Sequence, residues 1–98
     1  MAKFDVHRLG DGILVVDCQA DLLSDLETRF VVPLVPAAES WGHVRRLNPT
    51  IPFLGMSHVL LPQEAMSLHR HELGAPAGSL SDHDLTIGNA LDMLMSGF

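Results

Sequence analysis

The stretch ILVVDC at residues 13–18, followed by RFVVPL at residues 29–34, decides the fold. Both runs are apolar and rich in β-branched residues, and each is long enough for a strand but short for a helix. Phe4 and Val6 alternate with polar residues, which predicts a further half-buried strand before them. The LGDG sequence at residues 9–12 is a turn signal between the first two strands. Pro33 has no N–H for a strand ladder, so we expect an edge or a bulge there.

The middle of the chain continues as strands with irregular connections. Residues 50–54 are predicted to form a strand despite Pro49 and Pro52. Residues 56–61 and 65–71 alternate and are predicted to form a hairpin around a three-residue turn at 62–64. The glycine- and proline-containing stretch 74–78 is expected to break regular structure. Residues 19–28 and 36–42 are predicted to be loops.

A single helix is expected at the end of the chain. Ser81 and Asp84 have the spacing of a capping box, and Leu80 and Leu85 have that of a hydrophobic staple. Gly97 is placed to stop the helix. The predicted buried face repeats at helical spacing and consists of Ile87, Leu91, Leu94 and Phe98. Strands followed by one terminal helix predict a mainly β fold, a small antiparallel barrel with one C-terminal α-helix.

The length, charge and amino-acid composition of the chain exclude several classes of protein. The 98 residues predict a single domain spanning 1–98, with 47% apolar and 18% charged residues. The net charge of −6 and the scarcity of aromatic residues argue against direct nucleic-acid binding. No apolar run reaches the roughly 18–20 residues of a membrane span, so no membrane association is expected. Cys18 is the only cysteine, which excludes an intrachain disulfide and favours the reducing cytoplasm.

The sequence offers little recognisable catalytic chemistry. There is no nucleophile motif, and the Gly10-x-Gly12 pair lacks the rest of a phosphate-binding loop. His69 and His71 would share one face of a strand and could chelate a metal, but the alternative is a solvated strand face, because no third ligand has recognisable spacing. We therefore expect no enzyme, no cofactor and no metal.

Apolar residues occur where solvent exposure is expected. Leu22 and Leu23 lie in a predicted loop, while Met95 and Phe98 lie at the chain end. Two such groups form a partner-binding patch if the fold exposes them, and they are ordinary core residues if the fold buries them. The pattern leaves both interpretations open.

Three segments carry a resemblance to a known family. VDCQADLL at residues 16–23 is similar to a V-D-V-Q-S-D pattern followed by two apolar residues, and RFVVPL at 29–34 is similar to R-x-V-I-P-L. LS at 80–81 and IGNALD at 87–92 resemble L-S and I-x-N-A-I-N. In order, spacing and position, these patterns resemble the CcdB family of bacterial toxins from toxin–antitoxin modules.

The resemblance implies an SH3-like antiparallel β-barrel with a C-terminal helix, of the CcdB/MazF toxin fold, that forms a homodimer. Such proteins bind the catalytic subunit of DNA gyrase and trap its cleaved-DNA state, and a CcdA-like antitoxin with a disordered tail neutralises them. Antitoxin contacts would fall on Phe4 and His7. Family positions that contact gyrase correspond here to Leu22, Leu23, Asp92, Met95, Ser96, Gly97 and Phe98.

Three of these positions depart from the family pattern. Ser96 replaces a tryptophan, Phe98 replaces an isoleucine, and Asp92 replaces an asparagine. Two alternatives stay open, the first because of these departures and the second because the implied barrel resembles that of MazF-type toxins. One is a non-toxic homologue retained for antitoxin binding or regulation. The other is a MazF-like endoribonuclease, for which Arg29, Arg45, Arg46 and the histidines would supply the chemistry.

Overall fold

A computed structural model describes residues 2–40 and 43–97, so Met1, Trp41, Gly42 and Phe98 lie outside the described residues. The described elements are seven strands, one α-helix and short 3-10 turns. The strands are β1 Asp5–Arg8, β2 Leu14–Asp17, β3 Thr28–Pro36, β4 Thr50–Phe53, β5 Met56–Leu60, β6 Met66–His69 and β7 Pro76–Ser79, and the helix is α1 Asp84–Ser96. Within the described ranges no helix is both long enough and apolar enough to cross a membrane.

The first two strands form the expected hairpin. β1 and β2 pair antiparallel, with Val6 opposite Val16. Between them the Leu9 N–H donates to the Ile13 carbonyl at 2.8 Å, and Gly12 adopts a φ of 89°. Glycine reaches this left-handed conformation without a steric cost, which is why the turn forms at this position.

The long strand β3 is the centre of the sheet, so the expectation of an edge or bulge at Pro33 was wrong. On one side β3 pairs with β2 along its second half, with Val15 opposite Pro33. On the other side its first half pairs with β6 and its end pairs with β5. Pro33 lies at the change of partner, where its carbonyl accepts a hydrogen bond from the Leu61 N–H at 3.0 Å. The missing Pro33 N–H points to the same gap, so the ladder loses no bond.

The second hairpin differs from the predicted one. β5 pairs with β4 and β3, whereas β6 pairs with β3, so the expected β5–β6 hairpin was wrong. The true turn joins β4 to β5 through Leu54 and Gly55, whose φ angles of 52° and 79° are those of a two-residue type I′ turn. The Pro62–Glu64 turn instead carries the chain from one partner of β3 to the next.

The sheet curls until its two ends meet through side chains. Its strand order is β4-β5-β3-β2-β1-β7, with β6 beside β3. A Cβ atom on Gly78 of β7 would lie 2.8 Å from Cε1 of Phe53 in β4, so the Phe53 ring occupies the space that this glycine leaves. The stretch 74–78, expected to be irregular, therefore contributes part of a strand. The mainly β fold with a curled antiparallel sheet and one C-terminal helix is confirmed.

The helix forms with a different start from the expected one. Ser81–His83 is a 3-10 turn, and α1 begins after His83 without a side-chain cap. Leu85 is 73% exposed, so the predicted staple and capping box were wrong. Ile87 and Ala90 are buried and Leu91 packs beside them, whereas Leu94 is partly exposed. The predicted stop at Gly97 is confirmed by its left-handed conformation.

Apolar side chains pack on both faces of the sheet. The main core lies between the curled sheet and α1 and contains Phe4, Val6, Leu14, Val16, Cys18, Val32, Leu34, Ile51, Phe53, Leu60, Leu80, Ile87 and Ala90. On the opposite face Val15 and Val31 are covered by Leu73. Strand alternation explains this division, because consecutive residues of β2 and β3 point to opposite faces.

Candidate protein-binding surface

Residues 19–23, here named the leucine turn, are fixed by the side chain of Gln19. Its Oε1 accepts a hydrogen bond from the Phe30 N–H at 3.0 Å, and its Nε2 donates to the Leu23 carbonyl at 2.9 Å. The Gln19 N–H donates to Oδ1 of Asp17 at 3.0 Å. One glutamine thus ties the turn to β2 and β3. Residues 19–23 therefore form an ordered turn within the segment that the sequence predicted to be a loop.

Asp21 fixes the other side of the leucine turn. Its Oδ1 accepts a hydrogen bond from the Lys3 N–H at 2.8 Å, and residues Asp21–Leu23 form a 3-10 turn. At its apex Leu22 is 93% exposed, and Leu23 and Leu26 are about half exposed. Several hydrogen bonds therefore hold the turn in a conformation that exposes the Leu22 side chain to solvent. Sequence reasoning missed Leu26, which contributes a third exposed leucine beside the turn.

A buried ion pair lies beneath this turn. Nε and Nη2 of Arg29 lie 2.8 and 2.7 Å from Oδ2 of Asp17, and both side chains are fully buried. Because Oδ1 of the same carboxylate binds the Gln19 N–H, the pair and the leucine turn form one network. Arg29 was considered as a catalytic arginine in the endoribonuclease alternative, and its burial contradicts that role.

The second predicted group of contacts is exposed at the end of α1, residues 92–97. Met95 is 81% exposed, and Asp92, Ser96 and Gly97 are also exposed. The Gly97 N–H donates to the Met93 carbonyl at 3.0 Å, which closes the last turn. Phe98, the remaining predicted contact, lies outside the described residues.

The two exposed apolar groups belong to separate parts of one chain. The leucine turn is hydrogen-bonded to Lys3 and to β3. Helix α1 packs through Ile87 and Ala90 on the main core and lies against the Pro62–Glu64 turn. Among residues 2–40 and 43–97, no hydrogen bond joins the leucine turn to α1.

The two residues predicted to contact an antitoxin lie inside the fold. Phe4 is 8% exposed and belongs to the main core, and His7 is fully buried. Neither ring nitrogen of His7 has a hydrogen-bond partner among the described residues. Their assignment as antitoxin contacts stays a prediction, and in this conformation neither side chain is on the surface.

Cys18 lies in the core next to the Asp17–Arg29 ion pair, and its thiol has low reactivity. Burial raises the pKa of its thiol from the ordinary 9.0 to about 12, and the nearby Asp17 carboxylate adds to the rise. At neutral pH the thiol is therefore protonated and is a poor nucleophile. The interpretation of Cys18 as a buried structural residue agrees with its position in the main core.

A cleft elsewhere on the barrel brings together four ionisable side chains from separate segments. It encloses about 500 Å³ and is lined by Arg8, Asp11, Glu39 and His58, among others. Nδ1 of His58 lies 3.0 Å from the Met56 carbonyl oxygen, which orients the ring. Sequence reasoning missed this group, because only the curled sheet brings Arg8 at the end of β1 and His58 in β5 close to Asp11 and Glu39 in the connecting segments. Arg45 and Arg46 lie apart from it in an exposed turn.

The same fold occurs in several bacterial toxins. An endoribonuclease from a mycobacterial species is similar with a TM-score of 0.80 and 12% identity, over 97% of this chain and 90% of that one. The toxin MazF-mt6 of Mycobacterium tuberculosis has a TM-score of 0.75 and 13% identity, over 93% and 95%. A chain of the MazE–MazF crystal structure from Deinococcus radiodurans has a TM-score of 0.72 and 17% identity, over 98% and 95%. No curated protein sequence matches significantly.

These similarities define a class of fold, the curled sheet with a terminal helix found in toxins of toxin–antitoxin modules. Within that class the chain belongs to the CcdB protein family, whose model matches residues 3–97. The resemblance seen in the leucine turn, β3 and α1 is thereby confirmed over nearly the whole chain.

The expectation that this protein is not an enzyme was wrong. It rested on the absence of nucleophile and phosphate-loop motifs, whereas proteins with this fold are named endoribonucleases. A fold can bring together ionisable residues that are scattered along the sequence, as in the cleft lined by Arg8 and His58. Motif absence therefore does not exclude catalysis in this fold.

Proposed function

We propose that this CcdB-family protein acts as a toxin by binding the catalytic subunit of DNA gyrase. The observation that carries the proposal is the exposure of Leu22, which is 93% accessible on a turn held by Gln19 and Asp21. Leu22, Leu23, Asp92, Met95, Ser96, Gly97 and Phe98 are the proposed contacts. The whole chain acts as one unit in the cytoplasm, a compartment consistent with its single, unpaired Cys18.

Preorganisation is the physical reason for choosing the leucine turn. Fully burying a leucine side chain contributes about 1.5–3 kcal/mol, and ordering a flexible loop would consume part of that gain. Here the turn is already ordered, because the Gln19 side chain donates a hydrogen bond to the Leu23 carbonyl and accepts one from the Phe30 N–H. Leu22 can therefore enter a partner's pocket with little further loss of entropy.

The helix end is adapted differently from the family pattern. A tryptophan at position 96 would supply a flat ring, and Ser96 supplies none. The exposed Met95 next to it offers a flexible thioether side chain that packs against irregular surfaces. We therefore expect the leucine turn to contribute more of the binding free energy in this protein than in relatives with the tryptophan.

We further propose that the chain forms a homodimer and is neutralised by a CcdA-like antitoxin. Solved structures with this fold include a mycobacterial endoribonuclease in complex with its cognate antitoxin and a MazE–MazF structure. The surface charge also supports an antitoxin whose binding segment is apolar and basic, because this chain has a net charge of −6. Its contacts include the N-terminal strand around Phe4 and His7.

Growth of bacterial cells that express matched variants tests the gyrase proposal. The unsubstituted chain and Leu85→Asp should arrest growth and accumulate cleaved DNA, while Leu22→Asp should do neither. Both leucines are exposed, at 93% and 73%, so each change should alter folding stability by less than about 0.5 kcal/mol. Equal toxicity of Leu22→Asp would contradict the assigned contact. Antitoxin binding without any growth arrest would identify a non-toxic homologue instead.

RNA cleavage is a second candidate function, favoured by the cleft that contains Arg8 and His58. Cleavage of a phosphodiester needs a cation near the developing negative charge and a group that transfers a proton. Arg8 supplies the first, and His58, Asp11 or Glu39 the second. The similarity in fold to proteins named endoribonucleases supports the same reading.

Incubation of the purified chain with single-stranded RNA tests the second candidate. Cleavage should disappear in Arg8→Met and persist in Arg45→Met, because both arginines are exposed but only Arg8 lines the cleft. Absence of cleavage by the unsubstituted chain, or equal cleavage by both variants, would contradict it.

A further inference from the structure

Three metal-ligating side chains meet where β3 begins and β6 ends. Glu27 precedes the first residue of β3, His69 ends β6, and His71 lies in the 3-10 turn that follows. The strands set this arrangement, because Thr28 pairs with His69 and the Arg70 N–H donates to the Glu27 carbonyl at 2.8 Å. One ligand atom from each of the three side chains lies within 4.8 Å of the other two.

Glu27 is the third ligand that the sequence did not reveal. Several strands lie between Glu27 and the two histidines along the sequence. Only the pairing of β3 with β6 brings the three residues together. Glu72 fixes the backbone of the cluster, since its Oε2 accepts a hydrogen bond from the His69 N–H at 2.8 Å. The turn that carries His71 is thereby held against the end of β6.

The spacing of the ligand atoms is close to that of a coordinated ion. Nε2 of His69 lies 3.2 Å from Oε2 of Glu27, and the centroids of the two histidine rings are 4.2 Å apart. With metal–ligand bonds of about 2.0–2.1 Å, tetrahedral geometry places neighbouring ligand atoms roughly 3.3–3.5 Å apart. The 3.2 Å between Nε2 of His69 and Oε2 of Glu27 is slightly below this spacing. His71 is exposed, and one of its ring nitrogens lies within 4.8 Å of a ligand atom of each of the other two side chains.

We propose that Glu27, His69 and His71 bind a divalent transition-metal ion such as Zn²⁺. Two imidazole nitrogens and one carboxylate oxygen form a donor set typical of Zn²⁺ and unlike the all-oxygen sets of Mg²⁺ and Ca²⁺. The cluster is partly exposed, so water can complete the coordination. The bound ion would link the segment before β3 to the turn after β6, and this holds whatever the protein's target is.

Calorimetric titration of the full, tag-free chain with ZnCl₂ tests the site. We expect one Zn²⁺ per chain, an affinity reduced about tenfold or more in Glu27→Gln and in His71→Ala, and no measurable Mg²⁺ binding. His83→Ala is the matched control, because His83 lies outside the cluster and its removal should leave the affinity unchanged.

Thermal unfolding provides a second readout that does not depend on heats of binding. Zn²⁺ at about 100 µM should raise the midpoint of unfolding of the unsubstituted chain and of His83→Ala, but not of Glu27→Gln. Glu27 is largely exposed, so the variant folds and the comparison remains valid. Equal shifts in all three proteins, or no Zn²⁺ binding by the unsubstituted chain, would overturn the proposal.

Discussion

Replacing Arg29 with methionine should strongly destabilise the fold. Arg29 and Asp17 are both fully buried, and Nε and Nη2 of the arginine lie 2.8 and 2.7 Å from one carboxylate oxygen. Methionine fills much of the same volume but leaves the Asp17 carboxylate in the interior. The carboxylate would then keep one hydrogen bond, which it accepts from the backbone N–H of Gln19. Breaking a buried pair in this way costs about 3–5 kcal/mol.

That loss is a large fraction of the total stability of a domain of this size, roughly 5–15 kcal/mol. For a chain of this length it corresponds to a fall in the midpoint of thermal unfolding of roughly 15–30 °C. Urea denaturation followed by circular dichroism measures the free energy directly, with Arg29→Met, Asp17→Leu and the double variant compared in one cycle.

The double variant decides between two explanations. If the uncompensated charge causes the loss, replacing both partners should recover at least about 1 kcal/mol relative to Arg29→Met alone. Recovery will be incomplete, because Asp17→Leu also removes the acceptor for the Gln19 N–H. A loss below about 1 kcal/mol in Arg29→Met, or additive losses in the double variant, would refute the reasoning.

Three further predictions concern the interior and the leucine turn. Gly78→Ala should destabilise the fold by about 1–3 kcal/mol, because the new Cβ would lie 2.8 Å from the Phe53 ring. Gly88→Ala in α1 places its Cβ in open space and should stabilise the fold by about 0.5–1 kcal/mol. Equal effects of the two substitutions in denaturation would contradict this. Because burial raises the thiol pKa of Cys18 to about 12, the unfolded chain loses this proton before the folded chain does as the pH rises. The free energy of unfolding of the unsubstituted chain, relative to that of Cys18→Ala, should therefore fall by about 1 kcal/mol between pH ~8 and ~10. A constant difference between the two proteins would argue against this. Gln19→Ala removes two side-chain hydrogen bonds of about 1 kcal/mol each. The variant should still fold but should bind the target about tenfold more weakly. Unchanged affinity would show that the leucine turn does not depend on the hydrogen bonds of Gln19.

Local sequence patterns predicted the elements of the fold better than their pairing. The apolar runs 13–18 and 29–34 became β2 and part of β3, because β-branched residues favour strands wherever they pair. The β5–β6 hairpin failed, since alternation does not specify a partner, and both segments pair with β3. Pro33 was misjudged for the same reason. Its missing N–H is harmless only because β3 changes partners at that residue.

The candidate surface was only partly readable from the sequence. Leu22 and Met95 were recognisable as apolar residues in expected loops or chain ends, and both are highly exposed. Sequence gave no sign that Gln19 clamps the turn, because its partners lie in β3 and in the turn itself. The meeting of Glu27 with His69 was equally invisible, since it depends on strand register.

Direct binding of the purified chain to the catalytic subunit of gyrase tests the central claim, that Leu22 on its rigid turn anchors the target. Surface plasmon resonance should detect saturable binding by the unsubstituted chain and by Leu85→Asp with equal affinity. Leu22→Asp removes about 2 kcal/mol of apolar burial and should bind about 30-fold more weakly. No binding by the unsubstituted chain, or the same affinity in Leu22→Asp, would contradict the account.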